Sequence, residues 1–327
     1  MQTTKKINWG IIGLGNIAQQ FVRDLALVQD AHLIAVGSRN IKNAKEFASK
    51  NQAKIAYGSY EEVMQDNEVE IIYIATPHDS HAALSIKCLE HGKHVLCEKP
   101  IALNLDQTSK MVAASKKANR FLMEAFWTRF NPTFQEVLKK VKNDVLGEIT
   151  YINADFAFLV DIPKNRLTDI KNGGGTLLDI GVYPLFLSYV ILGIPTKILA
   201  TANFMETGAD KQTSMILQYD NAHAVLHSSF VASSNMVATI SGTKGKINMH
   251  PVWHETQGYS MIKNNHKVDY AFPTKGKGFT YEIEECHTCI RQGKIESTLW
   301  SHQNSLDLIG MADKVRKLIG LKFPLEN

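Results

Sequence analysis

Ile7-Asn8-Trp9-Gly10-Ile11-Ile12-Gly13-Leu14-Gly15-Asn16-Ile17-Ala18 is the stretch on which the fold class turns. Asn8 to Ile12 reads as a short apolar strand, and Ile17, Phe21, Leu25 and Val28 then recur on one helical stripe. Between them stands G-x-G-x-x-A. Gly13 permits a tight turn, Gly15 lets the backbone approach a pyrophosphate, and Ala18 keeps the helix close to the sheet. Leu14, Asn16 and Ile17 complete the turn, and the helix N-terminus offers its N–H groups to an anion. A glycine pattern alone is weak, but one set between a strand and a helix has the context of a dinucleotide site.

The alternation of strand and helix continues outward from there. A second strand, Leu33 to Gly37, ends in Ser38-Arg39-Asn40, where an NAD-preferring fold places an acidic residue for the ribose hydroxyls. A hydroxyl followed by a guanidinium suits a 2′-phosphate instead, so NADP(H) is expected, with NAD(H) possible. Strand Glu70 to Ala75 is nearly all apolar and delivers Thr76-Pro77-His78-Asp79-Ser80-His81 at its carboxyl end. Ligands bind at such strand ends, so Thr76, Pro77 and His78 are expected to border the nicotinamide, with His81 close by. Both histidines are metal-ligand types, but no third ligand is evident and no metal is expected. Strand His94 to Cys97 then presents Glu98-Lys99-Pro100, a charged pair at the mouth of the cofactor cleft. Lys99 is the functional candidate there, and the Lys99–Pro100 bond is a candidate cis peptide.

After Phe121 to Glu124 the pattern changes. Helix Thr133 to Lys142 and a long strand, Ile149 to Phe158, precede Gly173-Gly174-Gly175-Thr176-Leu177-Leu178-Asp179-Ile180-Gly181-Val182-Tyr183-Pro184. That run reads as a buried helix in which Asp179 and Tyr183, four apart, share one face. Taken alone, they read as a dipole partner and a core ring. Seven strands between Ile198 and Ala271 follow without helices, and helices Phe279 to Gln292 and Ser301 to Ile319 close the chain. The expected class is α/β: a doubly wound parallel-sheet Rossmann domain, residues 1–124, and an α+β domain, 125–327, with a large, mostly antiparallel sheet. One face of that sheet needs a partner, because Ala224, Leu226, Phe230, Val237 and Ile240 are more apolar than a solvated face wants. A homodimer or higher homo-oligomer joined through that sheet is expected. Trp127, Arg129, Phe156, Arg166, Trp253 and Phe279 are substrate-pocket candidates, ranked below the others because aromatic rings also serve cores and arginines ion pairs.

Composition excludes other classes. The 327 residues are 44% hydrophobic and 21% charged, and the net charge of +4 is spread without basic runs, which argues against nucleic acid. No apolar run approaches the roughly 20 residues of a membrane span, and no signal-peptide core follows the basic start, so a cytoplasmic location is expected. Four cysteines are no disulfide framework at this length, and Cys286-His287-Thr288-Cys289 reads as helix-packing thiols.

Gly13-x-Gly15-x-x-Ala18, Thr76-Pro77, Glu98-Lys99-Pro100 and Asp179-Ile180-Gly181-Val182-Tyr183, in that order, resemble the glucose–fructose oxidoreductase / inositol dehydrogenase / MocA family of NAD(P)-dependent oxidoreductases. Glu124-Ala125-Phe126-Trp127-Thr128-Arg129-Phe130-Asn131-Pro132, the Gly173 to Asp179 run and Ser241-Gly242-Thr243-Lys244-Gly245 look like its dihydrodiol dehydrogenase / D-xylose dehydrogenase branch. The resemblance implies a catalytic set of Lys99, Asp179 and Tyr183, with tyrosine where inositol dehydrogenases carry histidine. The implied chemistry is hydride transfer between an alcohol carbon and NADP, the substrate being an aldose such as xylose or glucose, or a vicinal or trans-dihydrodiol. Free tyrosine titrates near pH 10, and a neighbouring ammonium favours its phenolate. Tyr183 is therefore taken as acid/base with Lys99 activating it, the reverse assignment staying open. Asp179 orients substrate or lysine. The rivals are a cofactor-binding regulator without turnover and an NAD-dependent glycosidase of the same family.

Overall fold

The computed structural model describes residues 5–160 and 166–324. Its first strands are apolar on both faces, as a parallel sheet covered by helices on each side requires. The elements are β1 (Ile7–Ile12), α1 (Asn16–Leu25), β2 (Ala31–Gly37), α2 (Ile41–Asn51), β3 (Ile55–Tyr57), α3 (Tyr60–Gln65), β4 (Ile71–Ile74), α4 (His81–Glu90), β5 (His94–Glu98), α5 (Leu105–Ala118) and β6 (Leu122–Ala125). All pairs are parallel in the order β3-β2-β1-β4-β5-β6, so the order reverses between β1 and β4. Ligands enter at the carboxyl ends beside such a reversal. The starts of α2, α3 and α5 are capped by the side chains of Asn40, Ser59 and Asn104, each accepting a backbone N–H.

The second sheet is built from β7 (Ile149–Ala157), β8 (Lys197–Phe204), β9 (Asp210–Gln218), β10 (His223–Ser229), β11 (Ala238–Gly242), β12 (Gly245–Met249), β13 (Gly258–Lys263) and β14 (His266–Ala271). Helix α6 (Pro132–Lys142) precedes it, α7 (Val182–Leu192) lies between β7 and β8, and α8 (Thr280–Arg291) and α9 (His302–Ile319) follow. The strand order is β14-β13-β12-β11-β7-β10-β9-β8, antiparallel except for the central β7–β10 pair. Helix α7 packs on β7 and β10.

Two expectations need correction here. Ala224, Leu226, Phe230 and Ile240 are at most 1% exposed: they belong to the chain's own core rather than to a face awaiting a partner. Strand residues alternate between faces, and the sequence does not say which parity α7 covers. The open parity carries Tyr151, Leu199, Ile216 and Val225, aligned on adjacent strands among His223, Gln218 and Asn153. The second concerns Ile170–Leu192, which is long and apolar enough to cross a membrane, although 83% of that apolar window is buried inside the protein.

The chain forms two compact units. One comprises residues through Phe130 with Lys275–Leu306, the other Asn131–Thr274 with Asp307 onward. A single cut at 124/125 therefore misses a return of the chain to its first unit. The Asp24 carboxylate of α1 accepts the amides of Lys277, Gly278 and Phe279 at 2.8–2.9 Å, holding the start of α8. Phe279 packs edge-on against Phe21, and the Trp9 indole donates to His287 of α8 at 2.9 Å. Cys286 and Cys289 are both buried on α8, and Cys289 donates to Glu285.

Candidate active site

The first unit brings the cofactor candidates to the carboxyl ends of its parallel strands. Gly13 has φ +84, and a Cβ there would lie 2.6 Å from the backbone of Ala75, so only glycine lets the β1–α1 turn pass the end of β4. Gly15 is the opposite case: a Cβ there would meet nothing within 4 Å. It caps α1 in extended conformation, without a side-chain cap and with no acidic residue in the first turn. The amides of Asn16 and Ile17 thus begin a helix whose N-terminus is left to an external anion, which fits a pyrophosphate. Leu14 lies between the two glycines of this turn. At the end of β2, Ser38 Oγ accepts the Asn40 amide at 3.2 Å, which leaves its proton to donate, and Arg39 is exposed.

Lys99 follows β5, and its turn is held on three sides. Glu98 points inward: the Tyr73 hydroxyl donates to one carboxylate oxygen and the Lys99 amide to the other at 3.2 Å. The two ring nitrogens of His81, which is fully buried, lie 2.9 Å from the carbonyl oxygens of Pro100 and Thr76. Glu124 Oε1 accepts the Ile101 amide at 3.0 Å, while its Oε2 accepts from Trp300 and Ser305. The Lys99–Pro100 peptide is cis, as expected. His81 and Glu98, read from the sequence as cofactor contacts, also shape the turn that carries the lysine. Thr76 and His78 are buried and Pro77 half-buried where β4 ends, and the Ser80 hydroxyl donates to Thr76 Oγ1 at 2.7 Å.

A buried acidic group lies behind this turn, unannounced by any sequence motif. Glu282 on α8 is 0% exposed, and neither carboxyl oxygen has a hydrogen-bond partner. Burial, then the charges of Glu98 and Asp24, push its carboxyl well above the usual range. Burial and the same two glutamates also push the Tyr73 phenol up, so that it stays a donor to Glu98. Tyr73 is further fixed by stacking on Phe21 of α1, centroids 3.7 Å apart. In the same unit Trp127 stacks on Phe279 at 4.7 Å, and Arg129 is buried, which lowers its pKa.

The second unit holds Asp179 and Tyr183 within one turn of each other. Leu177–Gly181 is a π-helical turn leading into α7, rather than plain α-helix, and such turns recur at functional sites. Tyr183 packs against Phe156 at 5.3 Å and His254 at 4.9 Å, and His254 stacks on Phe156 at 4.1 Å. The structure thus joins Phe156 and Tyr183 as read from sequence and adds His254, which the sequence reading missed. Its neighbour Trp253 is fully buried with its indole donating to the Asp155 carbonyl at 2.8 Å, a core role. Val252, which leads into this turn, stands at φ 58, a conformation that β-branched residues rarely adopt and that sequence does not signal. Arg166 is exposed in a short 3₁₀ turn, and the neighbouring Asn165 lies outside the described residues. Among the described residues no group of three or more His, Cys, Asp or Glu is arranged to hold a metal.

Comparison with known proteins agrees with this fold. Residues 7–126 match the oxidoreductase family with an NAD-binding Rossmann fold, and residues 134–248 match the GFO/IDH/MocA C-terminal domain. The chain is 36% identical to trans-1,2-dihydrobenzene-1,2-diol dehydrogenases of Xenopus tropicalis and Homo sapiens, covering 97% of this chain and 99% and 98% of theirs. A solved 3-ketoreductase from Actinomadura kijaniata with NADP and TDP-benzene superposes with TM-score 0.88 at 23% identity, over 96% of this chain and 98% of that one; this likeness speaks to fold alone. An aldose–aldose oxidoreductase from Caulobacter crescentus, complexed with glycerol, gives TM-score 0.88 at 25% identity, over 96% and 97%.

Proposed function

The chain belongs to the glucose–fructose oxidoreductase / inositol dehydrogenase / MocA family of NAD(P)-binding oxidoreductases, and on that premise we propose that it is an NADP-dependent dehydrogenase of trans-dihydrodiols. The observation that carries the substrate choice is the ring cluster. Tyr183 stands beside the stacked rings of Phe156 and His254, tilted to both, an aromatic setting suited to an unsaturated six-membered ring bearing two hydroxyls. Near-full-length similarity to dihydrodiol dehydrogenases supports the same choice over aldoses.

NADP, when bound, supplies the hydride acceptor. Gly13, Leu14, Gly15, Asn16 and Ile17 hold its pyrophosphate, and Ser38 and Arg39 its 2′-phosphate. Tyr183 takes the hydroxyl proton as the carbinol C–H gives up hydride, and returns it in the reverse direction. Lys99 polarises the same oxygen and favours the tyrosinate, and Asp179 orients the substrate hydroxyl. Reading reduced-nicotinamide absorbance with NADP and a panel of dihydrodiols, xylose and glucose tests this. Higher kcat/KM for diols is expected. A preference for aldoses would refute the substrate class, and no turnover on any of them would favour a regulator.

Arg39→Ala should raise KM for NADP by about 10–100-fold, the weight of one or two charge-assisted hydrogen bonds, with little effect on NAD. An unchanged ratio of the two KM values would remove Arg39 from the 2′-phosphate site. The open sheet face with Tyr151, Leu199, Ile216 and Val225 is read as a homodimer contact. Light scattering is expected to give twice the chain mass, and Ile216→Lys to shift it toward one; a monomeric wild type refutes the contact.

A further inference from the structure

Beneath the segment that carries Asp179 and Tyr183 lies a polar cluster closed to solvent. Asp210, the first residue of β9, is 0% exposed. Its Oδ2 accepts from the Thr176 hydroxyl at 2.6 Å, the Leu177 amide at 2.8 Å and the Thr213 hydroxyl at 2.8 Å. Thr176 Oγ1 accepts in turn from the Ser228 hydroxyl at 3.1 Å. The other oxygen of Asp210, Oδ1, has no hydrogen-bond partner and faces Gly175. Gly175 has φ +125, and a Cβ there would stand 2.1 Å from that oxygen. At the far end of the turn, a Cβ on Gly181 would come within 2.9 Å of Ser228 Oγ.

A carboxyl group out of solvent with one oxygen unpaired is costly, and burial pushes Asp210 above its usual range against the pull of its three donors. What those donors gain is a fixed start for the Leu177–Gly181 turn, whose first amide has no partner within the helix. Hydroxyls on two strands, β9 and β10, reach the same point through Thr213 and Ser228, so the turn is keyed to the sheet in rotation and in height.

The geometry points to Asp210 as a positioning residue that, through the π-helical turn, sets where the Asp179 carboxyl and the Tyr183 phenol stand. It touches no reacting atom. The inference rests on Tyr183 being the acid/base, as read above. A misplacement of about 1 Å at a reacting group costs on the order of 100-fold in rate.

Asp210→Ala is therefore expected to lower kcat about 100-fold with the NADP Kd unchanged. Asp210→Asn, whose amide oxygen receives the same three donors, should recover to within about tenfold of wild type. In a Tyr183→Phe background, Asp210→Ala should cost less than about twofold more, because two changes acting through one group are not additive. Thr176→Val, which keeps the shape and removes the shared hydroxyl, serves the same cycle if Asp210→Ala does not fold; there a loss of about tenfold that vanishes beside Tyr183→Phe is expected. Wild-type kcat in Asp210→Ala or, where that variant does not fold, in Thr176→Val, or losses that multiply fully with Tyr183→Phe, would overturn the placement. Wild-type kcat in Tyr183→Phe alone would instead overturn the catalytic reading beneath it.

Discussion

Tyr183→Phe is expected to lower kcat for diol oxidation by about 10²–10⁴-fold while leaving NADP affinity unchanged, the contribution typical of a positioned general acid/base. The substitution removes one oxygen and keeps the ring, so packing against Phe156 and His254 survives and a fold defect does not confuse the result. In free energy the loss is about 3–5 kcal/mol of barrier. Near-wild-type kcat would move the proton to another group. Lys99→Met then decides the alternative: with Tyr183 as shuttle, the lysine variant keeps turnover at high pH, where the phenol ionises unaided. If lysine is the shuttle, no pH restores it.

Gly13→Ala and Gly15→Ala should part company. At Gly13 the new methyl would meet backbone atoms 2.6 Å away, in a conformation costing an L-residue roughly 1–2 kcal/mol before any clash. Loss of NADP binding and a fall in Tm of several degrees are expected together. At Gly15 the new methyl would meet no described residue beyond its own chain neighbours within 4 Å and the backbone is extended, so Tm should hold. The same methyl enters the space through which a pyrophosphate approaches the helix, and NADP Kd should rise about tenfold or more, roughly 1.4 kcal/mol. Differential scanning calorimetry and a dinucleotide titration read the two effects separately. Equal Tm losses in both variants, or unchanged Kd in Gly15→Ala, would show that this turn does not bind the pyrophosphate.

The cofactor-binding half was legible because each of its parts is signalled locally. Apolar strands, the glycine turn, capping residues and the proline after Lys99 all speak within a few residues of themselves. The cis peptide at Lys99–Pro100 was legible for the same reason. What the sequence hid depends on distance along the chain. Asp210 is one aspartate in a strand until Thr176 and Leu177, more than thirty residues earlier, are seen to donate to it. His254 joins Phe156 and Tyr183 across about 100 and 70 residues of chain, a distance no local signal spans. Glu98 and His81 bear the residue types of ligand contacts, and their part in holding the lysine turn shows only in the fold. The sheet face was misjudged for a different reason: strand alternation marks two faces, and only the position of α7 tells which of them is inside.

The grip of Asp24 on residues 277–279 has a consequence for synthesis on the ribosome. When Phe130 has emerged, the nucleotide-binding sheet is present, yet Trp9 and Phe21 still lack the helix that covers them. At roughly 5–20 residues per second, the 144 residues of 131–274 delay that helix by on the order of ten seconds. Through that interval the nascent unit shows an aromatic strip and an uncompensated Asp24 carboxylate. Completion of the first-made unit waits on nearly the last-made helix.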